Sequence, residues 1–404
     1  SDAILVEFLH ELESNPSAAQ RAVEDYGFVF AATCQQSQGK AITRRKTKAP
    51  GMHGSAMDYD TVIIDEAARS SPRDLLIPMS QGRKRIILVG DHRQLPHMID
   101  EEIARTLEEQ GSRSDERAAA TEASHIRHSM FQYLLTRLKQ LHARDGITRW
   151  VTLDQQFRMH QILGDFVSDS FYRVHDPAEA FGSPLPAESF VHGLPGIEEV
   201  PAIWIDVPAR AGKEEYVGTS RRRAAEAREI AKWLERWIDS PTGRRLTFGV
   251  ISFYKAQGTD VFQALAVPGY TSRGPDDKWR IAEEYELRPA EENLPPEERL
   301  RIGTVDSFQG MEFDVVFLSM VRSQARVPDP STDPAERAEQ ERKFYGHLTS
   351  PNRLCVSMSR QKRLLVVVGD KAMVEHELAR EAVPGLVAFL NLCKTRGAVL
   401  AAGG

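Results

Sequence analysis

Cysteine is scarce in this chain. Its three cysteines, Cys34, Cys355 and Cys393, are spread over 404 residues. That is too few and too scattered for a disulfide framework, and no pair has the spacing of a zinc knuckle. An iron–sulfur cluster ordinarily takes four, so a reduced, cytoplasmic setting is the expectation. Long apolar runs are also missing. None approaches the roughly 18 residues that span a bilayer, and "LLVVV" at Leu364–Val368 has the length of a buried strand. No basic leader precedes an apolar segment at the start, so nothing reads as a secretion signal. Nor is there an excess of positive charge: 52 Lys and Arg against 58 Asp and Glu give a formal charge of -6. Any grip on an anionic polymer would have to come from local patches. Two basic runs are available, "TRRKTK" at Thr43–Lys48 and "SRRR" at Ser220–Arg223, and by itself each reads as solvated surface.

The length exceeds one ordinary core, and two domains are the natural division. Short apolar strands alternate with helix-patterned stretches, the signature of a parallel α/β architecture. Candidate strands are Phe28–Thr33, Thr61–Asp65 and Arg85–Asp91, then Ala202–Val207, Thr247–Phe253, Arg301–Asp306, Asp314–Met320 and Leu364–Asp370. Most are continuously apolar, as strands covered on both faces are. In Ser220–Asp239 the positions Ala227, Ile230, Ala231, Leu234, Trp237 and Ile238 follow helical spacing, with Thr219 or Ser220 as the expected N-cap. A second helix is expected after Met159, using Ile162, Phe166, Val167 and Phe171. "RDGITRW" near Arg149 reads as a turn entering a strand, which sets expected domains at 1–149 and 150–404. Sequence rich in proline and charge at 267–300, and again from Ser323 to Lys343, reads as surface insertion.

"TVIIDEAARS" at Thr61–Ser70 ends an apolar run in two carboxylates. Carboxylates at a strand's C-terminal end are well placed for phosphoryl transfer, the first for a magnesium shell and the second for the attacking water. An ordinary strand end with a polar turn has the same sequence. The usual partner is G-x-x-x-x-G-K-[ST], whose backbone amides cradle phosphates. Gly39-Lys40 is followed by Ala41, and Gly212-Lys213 by Glu214; neither fits, and the chain contains no such loop.

Further stretches carry a resemblance. "IIDEAA", "VGDHRQLP" (Val89–Pro96), "LDQQFRMH" (Leu153–His160), "TVDSFQGMEFDVVFLSMVRS" (Thr304–Ser323) and "NRLCVSMSRQK" (Asn352–Lys362) occur in this order. With "FVFAATC" and "GVISFYKAQ" they resemble the successive motifs of superfamily-one helicases of the Upf-like branch. Phe157 stands where that family has tyrosine, and Ser359-Arg360-Gln361 where Thr-Arg-Ala is usual. The first motif is absent, as are the cysteine- and histidine-rich modules of some relatives.

The resemblance implies a P-loop NTPase type of fold with two RecA-like parallel-sheet domains. The first would be incomplete, its front half expected upstream or on another chain. It implies ATP with Mg2+ held between the domains: Asp65 for the metal, Glu66 for the attacking water, Gln94 as reporter of the γ-phosphate. Arg158 and Arg360 would approach that phosphate, and Glu312, after the Gln309-Gly310 turn, would meet the ribose or phosphate, with Gly310 in the binding turn. Single-stranded DNA or RNA would contact Thr33 and Thr304, although both threonines could equally be structural caps. Relatives generally travel 5′ to 3′. The alternative reading is a non-catalytic, helicase-derived module that binds nucleic acid or protein. A nuclease would need a carboxylate cluster with a lysine in a separate domain, for which the sequence leaves little room.

Overall fold

A computed structural model describes residues 29–40, 59–96, 129–289, 296–324 and 327–403, with 6, 9–10 and 13–17 near the N-terminus. The basic run Thr43–Lys48 and Phe28 lie outside the described residues. The chain divides into two compact units, one of residues 1–92 and 96–150, the other of 93–95 and 151–404.

In the first unit, β1 (Tyr59–Ile64) pairs in parallel with β2 (Gly82–Leu88), joined by α1 (Pro72–Met79). Ser71 caps α1 through the Asp74 amide, and proline at the first helical position suits a segment that needs no donor there. Ile64, Ala67 and Leu75 form a small core, against which Leu88, Met130 and Phe131 pack. α2 (Met130–Asp145) ends at Gly146, whose φ of 71° is the left-handed conformation favoured at a helix C-terminus. No strand follows it, contrary to the expectation for "RDGITRW": the chain runs irregularly from Gly146 to Asp154. Residues 29–33 are likewise irregular, so the expected strand there does not form over its described part.

The second unit is built on a six-stranded, wholly parallel sheet. Its strands are β3 (Ala202–Asp206), β6 (Phe248–Ser252), β9 (Leu300–Thr304), β10 (Phe313–Ser319), β11 (Gln361–Gly369) and β12 (Ala398–Ala401), in the order β12-β3-β11-β10-β6-β9. Both faces are covered, which is why these strands are mostly apolar. One face packs Leu163, Phe166, Val167 and Phe171 with Leu354, Val356, Leu386 and Phe389. These come from α3 (Gln161–Ser168) and the turn after it, from α7 (Pro351–Ser357) and from α8 (Pro384–Arg396). The other face packs α4 (Ala224–Ile238), which contributes Ile230, Leu234, Trp237 and Ile238, and α5 (Lys255–Ala266), which contributes Val261 and Leu265. A layered parallel α/β domain of the RecA-like, P-loop NTPase type is the result.

Several expectations need correction. The helix expected from Ser220 begins only at Ala224, and its N-cap is Arg223, which makes no side-chain cap bond. The cause is a hairpin: β4 (Glu215–Val217) pairs antiparallel with β5 (Ser220–Arg222), taking the residues expected to cap the helix. Nor is "SRRR" a solvated run, since Arg223 is fully buried. Within 267–300, a second hairpin of β7 (Thr271–Arg273) and β8 (Trp279–Ile281) forms, and Tyr270 and Tyr285 both reach Asp239. The proline- and charge-rich stretch after Ser323 contains a helix, α6 (Pro334–Tyr345), capped by Asp333. β12 had no expectation at all; "AVLA" is too short to stand out.

Candidate nucleotide site

The residue that organises the second unit's site is Arg360. It lies between α7 and β11, is 1% exposed, and donates from Nε to the Val356 carbonyl at 3.1 Å. Its Nη2 donates to Ser359 Oγ at 2.9 Å and to Gln94 Oε1 at 3.2 Å, and Nη1 reaches the Met311 carbonyl at 3.5 Å. All these acceptors are neutral. A guanidinium taken out of water and left without a carboxylate is costly to hold charged. Burial, and then the neighbouring Arg158 charge, pull Arg360 down to about 10.

Arg158 is presented by a turn that Gln156 builds. The Gln156 Oε1 accepts from the amides of Arg158 at 2.9 Å and Met159 at 2.8 Å, while its Nε2 donates to the Met159 carbonyl at 2.8 Å. Gly164 faces this amide side chain, where a Cβ would stand 2.7 Å from Gln156 Nε2. From the turn, Arg158 Nε donates to Glu312 Oε1 at 2.6 Å and Nη1 to the Ser359 carbonyl at 3.1 Å. Glu312 follows Gly310, whose φ of 79° suits glycine. So Gln94, Arg158, Glu312 and Arg360 form one cluster, with Gly310 in the turn beside it. Phe313 and Gln361 begin β10 and β11, so the cluster lies at the N-terminal edge of the sheet.

Sequence reasoning missed what holds Gln94. Asn352 Nδ2 donates to its carbonyl at 2.7 Å, Arg93 Nε donates to Glu179 Oε2 at 2.8 Å, and Leu95 is buried among the apolar residues of α3's face. Asn352 lies within the stretch that carried the resemblance but has no chemistry that singles it out. Glu179 has no sequence signal.

In the first unit, Asp65 and Glu66 are exposed at the C-terminal end of β1. Glu66 has a φ of 52°, uncommon for a residue with a side chain, and its amide donates to Asp65 Oδ1 at 2.9 Å. The turn is pinned by the Ala67 amide donating to the Val89 carbonyl at 2.8 Å. Gly90 sits against it, where a Cβ would come within 2.8 Å of the Ala68 nitrogen. Gly90→Ala is therefore expected to push on the turn that carries Glu66. The overpacking should cost about 1–3 kcal/mol, to be read as a lower midpoint of thermal unfolding by circular dichroism.

The two threonines differ. Thr33 Oγ1 accepts from the Gln36 amide at 3.2 Å, a local capping bond. Thr304 ends β9, and its hydroxyl caps nothing in the single turn that follows. It sits at the C-terminal edge of the sheet, paired in register with Ser252. A strand of five to seven residues, roughly 17–23 Å at 3.3 Å each, separates that edge from the arginine cluster.

Family models described as an AAA domain match residues 126–372 and 7–102. The chain belongs to this family, in its Upf-like superfamily-one helicase branch. A regulator of nonsense transcripts 1 homolog of Neurospora crassa is 26% identical over 80% of this chain and 24% of its own length. The ATP-dependent helicase NAM7 of Saccharomyces cerevisiae is 27% identical over 77% of this chain and 25% of its own. The ATP-dependent helicase upf1 of Schizosaccharomyces pombe is 24% identical over 94% and 32%. The chain thus spans a quarter to a third of the length of these relatives. An arterivirus nonstructural protein 10 helicase solved with DNA covers 81% of this chain and 44% of that one at 14% identity. Its TM-score of 0.29 is too slight to add to the assignment. Among the described residues the three cysteines are free, no helix is long and apolar enough to cross a membrane, and no metal-ligating cluster occurs.

Proposed function

We propose that this chain is part of an ATP-dependent helicase or translocase that couples ATP hydrolysis to movement along single-stranded DNA or RNA. One observation carries the reading: Arg360 is a buried guanidinium whose partners are all neutral oxygens. Structural arginines inside this same unit are treated differently, Arg223 being matched by Glu226 and Arg322 by Glu214. A buried cation with no carboxylate among its hydrogen-bond partners, beside a second arginine, suits an anionic ligand, and a triphosphate supplies that charge. The donors present fit such a group. Arg360 and Arg158 would neutralise charge on the transferring phosphoryl group, and Gln94 Oε1, now accepting from Arg360, would exchange that bond as the phosphate arrives or leaves. Glu312 orients Arg158, and the Gly310 turn presents Glu312. On the first unit, Asp65 would hold Mg2+ through its water shell and Glu66 would accept the proton of the attacking water. When bound, Mg2+ would screen the phosphate charge. The front half of the first domain, with the phosphate loop, would come from upstream or from another chain.

This chain alone has no phosphate loop for Asp65 and Glu66 to work against. It is expected to release no phosphate from ATP above background, with or without single-stranded DNA or RNA, in a malachite-green assay. Robust turnover sensitive to Glu66→Gln would overturn that statement. The non-catalytic alternative predicts strand binding indifferent to nucleotide, and a pure scaffold leaves the charge on Arg360 without purpose. Thr304 is the better of the two candidate strand contacts, since the hydroxyl of Thr33 already has a capping role.

A further inference from the structure

The C-terminal edge of the second unit's sheet carries more than Thr304. The β4–β5 hairpin stands there, between the end of β3 and the start of α4, and turns at Gly218, whose φ is 59°. Tyr216 lies near its tip and is 71% exposed. The Arg221 guanidinium lies 3.9 Å from the Tyr216 ring centroid and also donates to the phenol oxygen. An exposed aromatic usually keeps its rotamers free; this one is fixed by its cross-strand neighbour.

The hairpin itself is held from three sides. Ser220 Oγ accepts from the Ala256 amide at 3.1 Å, in the first turn of α5. The Arg223 amide donates to Gln257 Oε1 at 2.6 Å, and Arg223 also ties down the carbonyls of Val207, Pro208 and Gly212. Glu214, at the hairpin's base, pairs with Arg221 and, at 2.9 Å, with Arg322, and accepts from the Ser323 amide at 3.2 Å just past β10. α5 follows β6, whose last residue, Ser252, is the register partner of Thr304. Hairpin, α5 and Thr304 thus share one edge. Arg210 and Lys213, in the loop leading to the hairpin, are exposed with no ion-pair partner among the described residues.

We propose that this hairpin is a stacking platform for single-stranded nucleic acid. Tyr216, backed by Arg221, takes the face of one base, and Arg210 and Lys213 hold the neighbouring phosphates. The inference rests on the strand-binding part of the proposed function and names the surface that carries it. Three physical features favour this occupant. A base face stacks on an aromatic ring whatever its identity. Exposed cations in the loop leading to the hairpin match a phosphate backbone. The scaffold is already ordered, so binding need not immobilise it.

The test is fluorescence anisotropy of labelled oligothymidine and oligouridine with the chain as it stands, over a series of salt concentrations. Tyr216→Ala is expected to weaken binding about tenfold with the salt slope unchanged, while Tyr216→Phe keeps the affinity. The double substitution Arg210→Ala, Lys213→Ala is expected to flatten the salt slope by about 1.4. These residues are exposed, so unaltered circular dichroism should accompany each change. The tighter of the two oligonucleotides identifies the substrate class. If the unsubstituted chain binds neither, the strand-binding reading itself fails. If it binds and the variants bind equally well, only the hairpin's role is overturned.

Discussion

Glu226→Ala is expected to cost the second unit about 3–5 kcal/mol, a drop on the order of 10 °C in its thermal midpoint. Glu226 and Arg223 are both fully buried and meet at 2.9 Å. Burial pushes the Glu226 carboxyl up, and Arg223, the Ser319 hydroxyl and the Val321 amide pull it back. Its second oxygen accepts from Ser319 Oγ at 2.6 Å and from the Val321 amide at 2.8 Å, where Val321 has a φ of 66°. A left-handed β-branched residue persists only when its surroundings enforce it. Alanine would strand the Arg223 charge and release Val321 together. The partner experiment replaces both members, Arg223→Met with Glu226→Leu. Removing the two charges together should recover much of the loss, because isolated charge rather than lost attraction dominates the single variant. Calorimetry of the three proteins decides: a double variant as unstable as Glu226→Ala would mean the pair acts mainly through Val321 and Ser319.

Arg360→Ala should leave its largest mark on catalysis. Once a phosphate loop is supplied in the same polypeptide, kcat for ATP is expected to fall by about 10³–10⁵, with a much smaller change in KM. The reasoning is geometric. Four donors of Arg360 already face neutral acceptors, so its charge is the one quantity an incoming phosphate can use. Steady-state phosphate release separates the two parameters. A loss confined to KM would assign Arg360 to ground-state binding rather than to the transition state. Lysine in its place should rescue poorly, since an ammonium cannot reproduce the fork that reaches Gln94, Ser359 and Val356 together.

The sequence was a good guide to β1, β2, β3, β6, β9, β10 and β11, each matched within three residues at either end. Continuous apolar runs of five to seven residues leave little choice when both sheet faces must be covered. It failed where partners decide. "FVFAAT" has strand composition, yet its described part is irregular. Ser220 looks like a helix cap and instead sits in a hairpin, capping the first turn of α5. Arg158 and Arg360 were legible through their motifs, whereas Arg223 read as part of a solvated basic run; both Arg223 and Arg360 are buried, and only their opposite partnering separates them.

What the chain's own order of residues determined was the class of fold, the family and the set of side chains available for phosphate chemistry. These depend on local apolar periodicity and on motif order, both of which are written along the backbone. Tertiary structure alone decided which arginine is left without a counter-charge, that Asn352 and Glu179 anchor the Gln94 segment, and that Tyr216 stands rigid at the edge where Thr304 ends. Such facts depend on atoms brought together from positions as much as 266 residues apart, and no spacing rule reaches that far.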